Sequence, residues 1–276
     1  MGDFGDDTTL TPAADGWTRS VHPDWTIWGP NGGYMAALAL RAAGECSGRS
    51  RPANATVHFL GVASLEEPVQ ISASVQRAAR TATSVRVDIS QGGKPMLAAM
   101  VWAIDNELDG LHHSVATPPQ VPSWRELPTI RDRFAAAGQT YVPSYAFWEN
   151  FEQRPGRWID TWEEREGEHP DYFHWLRFTP TPTFDDPWLE AARLLLLVDL
   201  GAWPAVCARH NQQDYIAPSI DVSCEFHSLD VPEWLLLHGE SDHASDGLIG
   251  SRQAVWSDDG RLLASGISHL LCRSVR

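Results

Sequence analysis

The order of apolar and polar residues predicts two similar units, each with one apolar helix and several strands. In the first half, the segment YMAALAL has small and aliphatic side chains at helical spacing, which predicts a helix over Gly33 to Ala43. A tight turn is predicted at Gly92 and Gly93. Strands are predicted at 17–28, 56–60, 68–78, 84–90 and 95–104.

The second half repeats this order of elements. A long helix is predicted over 187–206, which contains the apolar run LLLLVDLGAW. The segments SLEEP, from Ser64 to Pro68, and SLDVP, from Ser228 to Pro232, occupy corresponding places in the two halves. This single duplication favours two pseudo-symmetric domains over a long repeat array. Strands are predicted at 145–153, 172–178, 219–227, 233–239, 250–257 and 261–273.

A polar segment with several prolines separates the two units. Residues 112–143 are therefore predicted to be a linker, with a short helix at about 129–137. The predicted domains are residues 1–111 and 144–276. Both long helices are apolar on nearly all sides, as expected if a curled antiparallel sheet wraps around each of them. The predicted fold class is α+β.

The excess of acidic over basic residues disfavours some classes of binding partner. The chain has 36 acidic and 21 basic residues, and its formal net charge is -15. Such a surface repels phosphate backbones and anionic lipids, so we expect neither nucleic-acid binding nor membrane insertion. The longest aliphatic run, Leu194 to Val198, is far too short to cross a bilayer.

The cysteines and the N-terminus predict a cytoplasmic protein. The four cysteines form no CxxC pair, and their spacing fits neither a zinc site nor a disulfide framework. The acidic start, GDFGDD, lacks the basic and apolar regions of a signal peptide. His169 and His174 lie close together in the sequence without a third ligand, so we predict no bound metal.

Four motifs together resemble the acyl-CoA thioesterase II family: GPNGGYMAALAL, QGGKPMLAAMVW, PSIDVSCEFH and DDGRLLASG. Members of this family carry two tandem hotdog domains in one chain, each a curled antiparallel sheet wrapped around a central helix. The resemblance implies hydrolysis of acyl-CoA thioesters to the free acid and CoA, a place in lipid metabolism, and no cofactor. Hotdog sheets often pair edge to edge, so a homodimer is also expected.

The family assigns its chemistry to an aspartate, a threonine and a glutamine, which together orient a water molecule. By position, the resemblance places these roles on Asp199, Ser219 and Ser268. Ser219 keeps the hydroxyl of the family threonine. Ser268 is a departure, because serine is too short to replace an amide that both donates and accepts hydrogen bonds.

Asp199 also stands out from the residues alone. It is the one charge in the run from Leu194 to Trp203, and a buried unpaired carboxylate is costly or becomes protonated. A residue kept at that cost has a task, such as a general base, or a partner, such as a loop amide or Arg209. For Ser219, the alternative is a hydroxyl that only satisfies the turn after Pro218.

Two neighbours compete for the position on the last strand. Ser268 and His269 point to opposite faces, so only one of them can face the site. The family register favours Ser268, while His269 is the rival because imidazole is a common general base. Asp221 lies two residues after Ser219 and could share its face as a supporting acid.

The sequence at the start of the first helix predicts the electrophilic half of the site. Asn31, Gly32, Gly33 and Tyr34 would present backbone amides at a helix N-terminus, which carries a partial positive charge. Such donors suit the oxyanion that forms when water attacks a thioester. The alternative is a plain helix start capped by Asn31, and both interpretations can hold together. The predicted site therefore spans the two repeats.

Other functions stay open. Asp199 could attack the thioester directly and form a mixed anhydride. A hydratase of the same fold is disfavoured, because the chain lacks a Gly-Asp-x-Asn-x-x-His pattern. Ser268 could instead mark a catalytically weak or inactive acyl-CoA binding or sensing protein.

The tryptophans and arginines add two weaker hypotheses. Of 13 tryptophans, six lie between Trp124 and Trp188, where they either pack an extended connection or line an acyl tunnel that favours bulky or aromatic groups. Arg77, Arg80 and Arg86 form the nearest basic cluster that could hold the CoA phosphates.

Overall fold

Twelve antiparallel strands form one continuous sheet in the computed structural model, which describes residues 1–106, 108–159, 169–210 and 214–275. The helices are α1 (Phe4–Asp7), α2 (Gly32–Ser47), α3 (Ile130–Ala136), α4 (Pro187–Leu200) and α5 (Ala202–Cys207). The strands are β1 (Thr11–Ala13), β2 (Gly16–Arg19), β3 (Arg51–Phe59), β4 (Val69–Ala78), β5 (Ala82–Gln91), β6 (Lys94–Ile104), β7 (Phe151–Pro155), β8 (Asp171–Phe178), β9 (Tyr215–Ile216), β10 (Ser219–Phe226), β11 (Leu235–Ser245), β12 (Leu248–Trp256), β13 (Leu262–Leu271) and β14 (Arg273–Ser274). The sheet order is β1-β2-β4-β5-β6-β3-β10-β13-β12-β11-β8-β7, and β9 pairs separately with β14.

Local signals in the sequence set the bounds of α2. The side chain of Asn31 accepts a hydrogen bond from the Tyr34 amide at 3.0 Å, which caps the N-terminus. Gly48 ends the helix in the left-handed region, at φ +64°. Strands β3 to β6 surround the helix, so most of its side chains are buried. The predicted helix over 33–43 is confirmed and is longer at both ends.

The second long helix is interrupted where the sequence predicted continuity. Asp186 caps α4 by accepting from the Trp188 amide at 2.9 Å, and every residue from Trp188 to Leu200 is buried. After Gly201 a separate helix, α5, begins. The prediction of one helix over 187–206 is therefore wrong. Pro204 explains the break, because it has no N–H to donate to the Leu200 carbonyl four residues earlier.

Most predicted strands are confirmed. The predicted turn at Gly92 and Gly93 is also confirmed, and the two glycines have φ angles of +56° and +76°. Two strand predictions are wrong in part. Residues 17–28 contain only the short β2, and a 3₁₀ turn at Pro23–Trp25 follows it, because proline cannot join a strand ladder. Residues 145–153 begin with another 3₁₀ turn, Ala146–Asn150, before β7.

The two halves join through both the sheet and the helices. Strands β3 and β10 pair in antiparallel register, from His58 opposite Asp221 to Asn54 opposite Glu225. On the inner side of this junction α2 packs against α4. The division into domains 1–111 and 144–276 stays a prediction.

Glycines allow α2 and α4 to approach each other closely at both ends of their contact. A Cβ on Gly33 would lie 2.6 Å from the Leu196 Cα and 2.9 Å from the Leu196 carbonyl oxygen. At the other end of α2, a Cβ on Gly44 would lie 2.8 Å from the indole of Trp188, so that ring fills the space beside the helix. Neither position admits a larger side chain without movement of its neighbour.

Tryptophans on the outer face of the sheet pack under the segment between the two halves. Trp175, Trp234 and Trp256 form a buried cluster with Leu236, and Trp124 stacks on Trp234 with ring centroids 4.8 Å apart. For these side chains the structure supports packing of an extended connection. The predicted short helix in that segment is confirmed as α3. Across the described ranges, no helix has the length and apolarity needed to span a bilayer.

Gly33→Ala tests the helix contact. Because the new methyl group would meet the backbone of Leu196, we expect the free energy of unfolding to fall by about 2 kcal/mol or more. Gly110→Ala is the matched control, since a Cβ there meets nothing within 4 Å. Urea denaturation measures both, and equal stabilities of the two variants would contradict the prediction.

Candidate active site

A cavity of about 1080 Å³ lies where the N-terminus of α2 meets the C-terminal end of α4. Asn31 and Gly32 line it from the first half of the chain, and Asp199 and Ser219 line it from the second half. Most of the remaining lining is aliphatic or aromatic. The structure therefore brings four of the seven predicted site residues to one concave surface that spans both repeats.

Asp199 is buried in the last turn of α4, with an exposed fraction of 6%. Burial raises its pKa to about 6, because a charged carboxylate loses its hydration there, while hydrogen bonds from the Ser219 hydroxyl and the Gly33 amide favour the charged form. The Oδ1 atom has no hydrogen-bond partner in the part of the chain that the structure describes. Among the described residues, no charged side chain contributes to the shift of this pKa.

The two glycines matter for a reason that the sequence did not reveal. A Cβ on Gly32 would lie 2.8 Å from the Oδ2 atom of Asp199. Together with the contact between Gly33 and Leu196, this shows that the glycines make room for the carboxylate and for α4. The sequence predicted only that their amides would face an oxyanion.

Tyr34 does not have the free amide that the prediction required. Its N–H donates to Asn31 Oδ1 in the helix cap, at 3.0 Å. Its phenol is buried and donates to the Asp7 carbonyl at 2.8 Å, and its ring stacks on Trp25. We therefore remove the Tyr34 amide from the group of candidate oxyanion donors. Within the described residues, no acceptor takes the Gly32 amide or the Asn31 Nδ2 atom.

Ser268 is buried away from the cavity lining. Its hydroxyl donates to Gln253 Oε1 at 3.4 Å, and Gln253 Nε2 donates to Ser251 Oγ at 2.6 Å. This buried glutamine on β12 went unnoticed in the sequence. A Cβ on Gly201 would lie 2.9 Å from the Gln253 side chain, so Gln253 packs against the end of α4. In the ranges that the structure describes, Ser268 forms no hydrogen bond with Asp199.

The rival histidine pairs with the proposed supporting acid. His269 Nδ1 lies 2.8 Å from Asp221 Oδ1, and both side chains are partly exposed. Neither residue lines the cavity. A β-bulge between Ser219 and Asp221 breaks the strand alternation, so the two residues need not share a face. The expectation that Asp221 supports Ser219 is therefore not met by this geometry.

The cavity continues into a region that the sequence did not connect with the site. Phe134 and Tyr141, from the segment between the two halves, lie opposite the hairpin of β7 and β8. His174 lines the cavity from β8, and its Nδ1 atom lies 2.5 Å from the Tyr172 hydroxyl. In the described ranges, no group of three or more His, Cys, Asp or Glu side chains is arranged to hold a metal ion.

Comparisons with known proteins agree over nearly the whole chain. The family model of the acyl-CoA thioesterase N-terminal domain matches residues 21–104, and that of the C-terminal domain matches residues 115–270. No curated protein matches the chain.

Solved structures show the same architecture. A hotdog-fold protein of unknown function from Alicyclobacillus acidocaldarius has a TM-score of 0.81 at 21% identity, covering 98% of this chain and 97% of that chain. The acyl-CoA thioesterase II TesB2 from Mycobacterium marinum has a TM-score of 0.78 at 19% identity, covering 99% of this chain and 98% of that chain. At these identities the structures establish the fold alone, and they confirm the predicted tandem hotdog domains.

The raised pKa of Asp199 predicts how stability depends on pH. The folded protein holds this proton more tightly than the unfolded chain does. The free energy of unfolding should therefore fall as the pH rises from 3.8 to about 6. The fall amounts to about 3 kcal/mol at most. The substitution Asp199→Asn removes the titrating carboxyl group and therefore this dependence of stability on pH. Urea denaturation should therefore show a larger gain from the substitution at pH 8 than at pH 4, and an equal gain at both would contradict the prediction.

Proposed function

The chain belongs to the acyl-CoA thioesterase family, and we propose that it hydrolyses acyl-CoA through a water molecule activated by Asp199. The observation that carries this proposal is a buried carboxylate, without a cationic partner among the described residues, that lines a large cavity beside a helix N-terminus. A polar group kept in such surroundings at a cost in stability is typical of an active site.

Asp199 would act as the general base. With a pKa of about 6, the carboxylate is largely ionised at neutral pH and is still a stronger base than an exposed aspartate. The Ser219 hydroxyl would hold one side of the carboxylate, and Oδ1 would accept the proton of the attacking water. The hydroxide adds to the thioester carbon. The tetrahedral intermediate then expels the CoA thiolate, which takes the proton back from Asp199.

The oxyanion would be stabilised from the first half of the chain. The Gly32 amide lies at the positive end of the α2 dipole, next to the carboxylate. Asn31 Oδ1 is fixed by the helix cap, which leaves its Nδ2 group to donate into the cavity that Asn31 lines. These two donors replace the predicted set that included Tyr34.

The surrounding features fit the same reaction. Four tryptophans, Trp28, Trp148, Trp158 and Trp203, line the cavity, which supports the hypothesis of a bulky or aromatic acyl group.

We also propose, from the family and the composition, a cytoplasmic homodimer in lipid metabolism. Strands β1 and β7 are the two edges of the sheet at which another subunit could pair.

A panel of acyl-CoA esters tests the reaction. Purified protein should release CoA thiol, detected with a thiol-reactive dye, from at least one short, medium, long or aromatic ester. Asp199→Asn should reduce kcat by about 10³-fold or more, because the general base is lost. Asp221→Asn is the matched control and should retain activity, since Asp221 lies outside the cavity.

Two outcomes would count against the mechanism. Binding of the esters without any thiol release would favour the alternative of an acyl-CoA binding or sensing protein. Full activity of Asp199→Asn would remove the central assignment. Single-turnover reactions in labelled water distinguish direct attack by Asp199, because that route places solvent oxygen in the protein.

Asn31→Ser tests the side-chain donor. Serine keeps an oxygen that can cap α2 but removes the Nδ2 group, so we expect an unchanged melting temperature and a kcat lower by about 10²-fold. Asn31→Ala, which loses both the cap and the donor, should also lower the melting temperature. A serine variant with the kcat of the wild type would show that Asn31 only caps the helix.

A further inference from the structure

The wall of the cavity formed by β7 and β8 carries a second polar site. We propose, resting on the proposed thioesterase function, that Gln153 and His174 bind a hydroxyl group on a ring-containing acyl moiety. Both residues line the cavity from the hairpin of β7 and β8, whereas Asp199 lies at the end of α4. This subsite would select the substrate without taking part in the chemistry.

His174 offers one unpartnered nitrogen. Its exposed fraction is 6%, and its Nδ1 atom lies 2.5 Å from the Tyr172 hydroxyl. We assign the Tyr172 hydroxyl as the donor to Nδ1, an assignment that places the ring proton on Nε2. Burial lowers the pKa of His174 to about 3, so the ring is neutral at physiological pH. Nε2 has no hydrogen-bond partner in the described chain.

Gln153 offers the complementary acceptor. Its exposed fraction is 4%, and its Nε2 group donates to the Trp148 carbonyl at 3.2 Å and to the Tyr141 hydroxyl at 3.5 Å. Those bonds orient the amide and leave Oε1 without a donor among the residues described. The glutamine is therefore positioned as an acceptor on the cavity wall.

The strand register brings these two groups together. Gln153 lies opposite Leu176, and Pro155 lies opposite His174, so Gln153 and His174 are diagonal neighbours on one face of the hairpin. Diagonal neighbours of this kind have Cα atoms about 7–8 Å apart. One small group between the side chains can therefore contact both.

A hydroxyl is the group that satisfies both partners. It accepts from the Nε2–H of His174 and donates to the Oε1 atom of Gln153. A carboxylate has no proton to donate, and an ammonium group cannot accept. Among the residues that the structure describes at this wall, the charges of Arg157 and Asp171 compensate each other, because their side chains form an ion pair at 2.9 Å. An alkyl chain would leave two buried polar atoms unpaired.

The walls beside this subsite are aromatic. Phe134 and Tyr141 have ring centroids 5.3 Å apart, and Tyr145 and Trp148 line the same cavity. Flat aromatic walls favour a ring in the ligand by stacking or edge contacts. The expected substrate class is therefore a CoA ester whose acyl group ends in a hydroxylated ring.

Matched pairs of esters test the subsite. We would compare phenylacetyl-, phenylpropanoyl- and phenylbutanoyl-CoA with their para-hydroxylated counterparts. For the chain length that reaches the hairpin, kcat/KM should be about tenfold or more higher for the hydroxylated ester. Gln153→Met and His174→Phe should each bring this ratio close to one while the parent ester is still hydrolysed. Gln91→Met is the matched control, because Gln91 is buried but lies outside the cavity, and it should keep the ratio.

The outcomes separate this proposal from the reaction itself. Equal kcat/KM values for all three pairs, or a preference that survives both substitutions, would overturn the subsite and leave the thioesterase intact. If no ester is hydrolysed, the reaction proposal fails, and the dissociation constants of the same pairs of esters test the subsite. A dissociation constant about tenfold lower for a hydroxylated ester than for its parent would then support the subsite. Equal dissociation constants would overturn it.

Discussion

The close contact between the N-terminus of α2 and the last turn of α4 is the constraint on which the site depends. Gly32 and Gly33 allow it, since a side chain at either position would meet Asp199 or the Leu196 backbone. The contact places a carboxylate beside the positive end of a helix dipole rather than beside a cation. Burial therefore keeps the pKa of Asp199 raised to about 6 although the Gly33 amide favours the charged form, because no cation among the described residues offsets the loss of hydration.

The two acidic residues within α4 differ in how their charges are compensated. Glu190 and Arg193 are both buried and form an ion pair one helical turn apart, and Arg193 also lies over the Phe178 ring. Each charge in that pair is satisfied by the other. Asp199 has no such partner among the described residues, although the same helix buries it. This contrast, together with the cavity beside it, is why we propose Asp199 rather than Glu190 as the general base.

Periodicity and local chemistry were enough to predict much of this molecule. Both central helices follow from their apolar residues, and Asp199 is conspicuous as a lone charge in an aliphatic run. The errors concern contacts that depend on the third dimension. The cap that consumes the Tyr34 amide, the bulge that separates Ser219 from Asp221, and the burial of Ser268 against Gln253 all depend on geometry that residue spacing does not encode. The pair of Gln153 and His174 on the β7–β8 hairpin was missed for the same reason.

The indole of Trp188 has a consequence for stoichiometry. In a duplicated fold, the two ends of the contact between the central helices are equivalent. At one end the helices border the cavity, and at the other end the Trp188 ring packs directly on Gly44. In the mechanism we propose, the duplication is therefore functionally asymmetric, with one half donating the amides and the other half donating the acid. Each polypeptide should consequently saturate with one equivalent of CoA ester, not two.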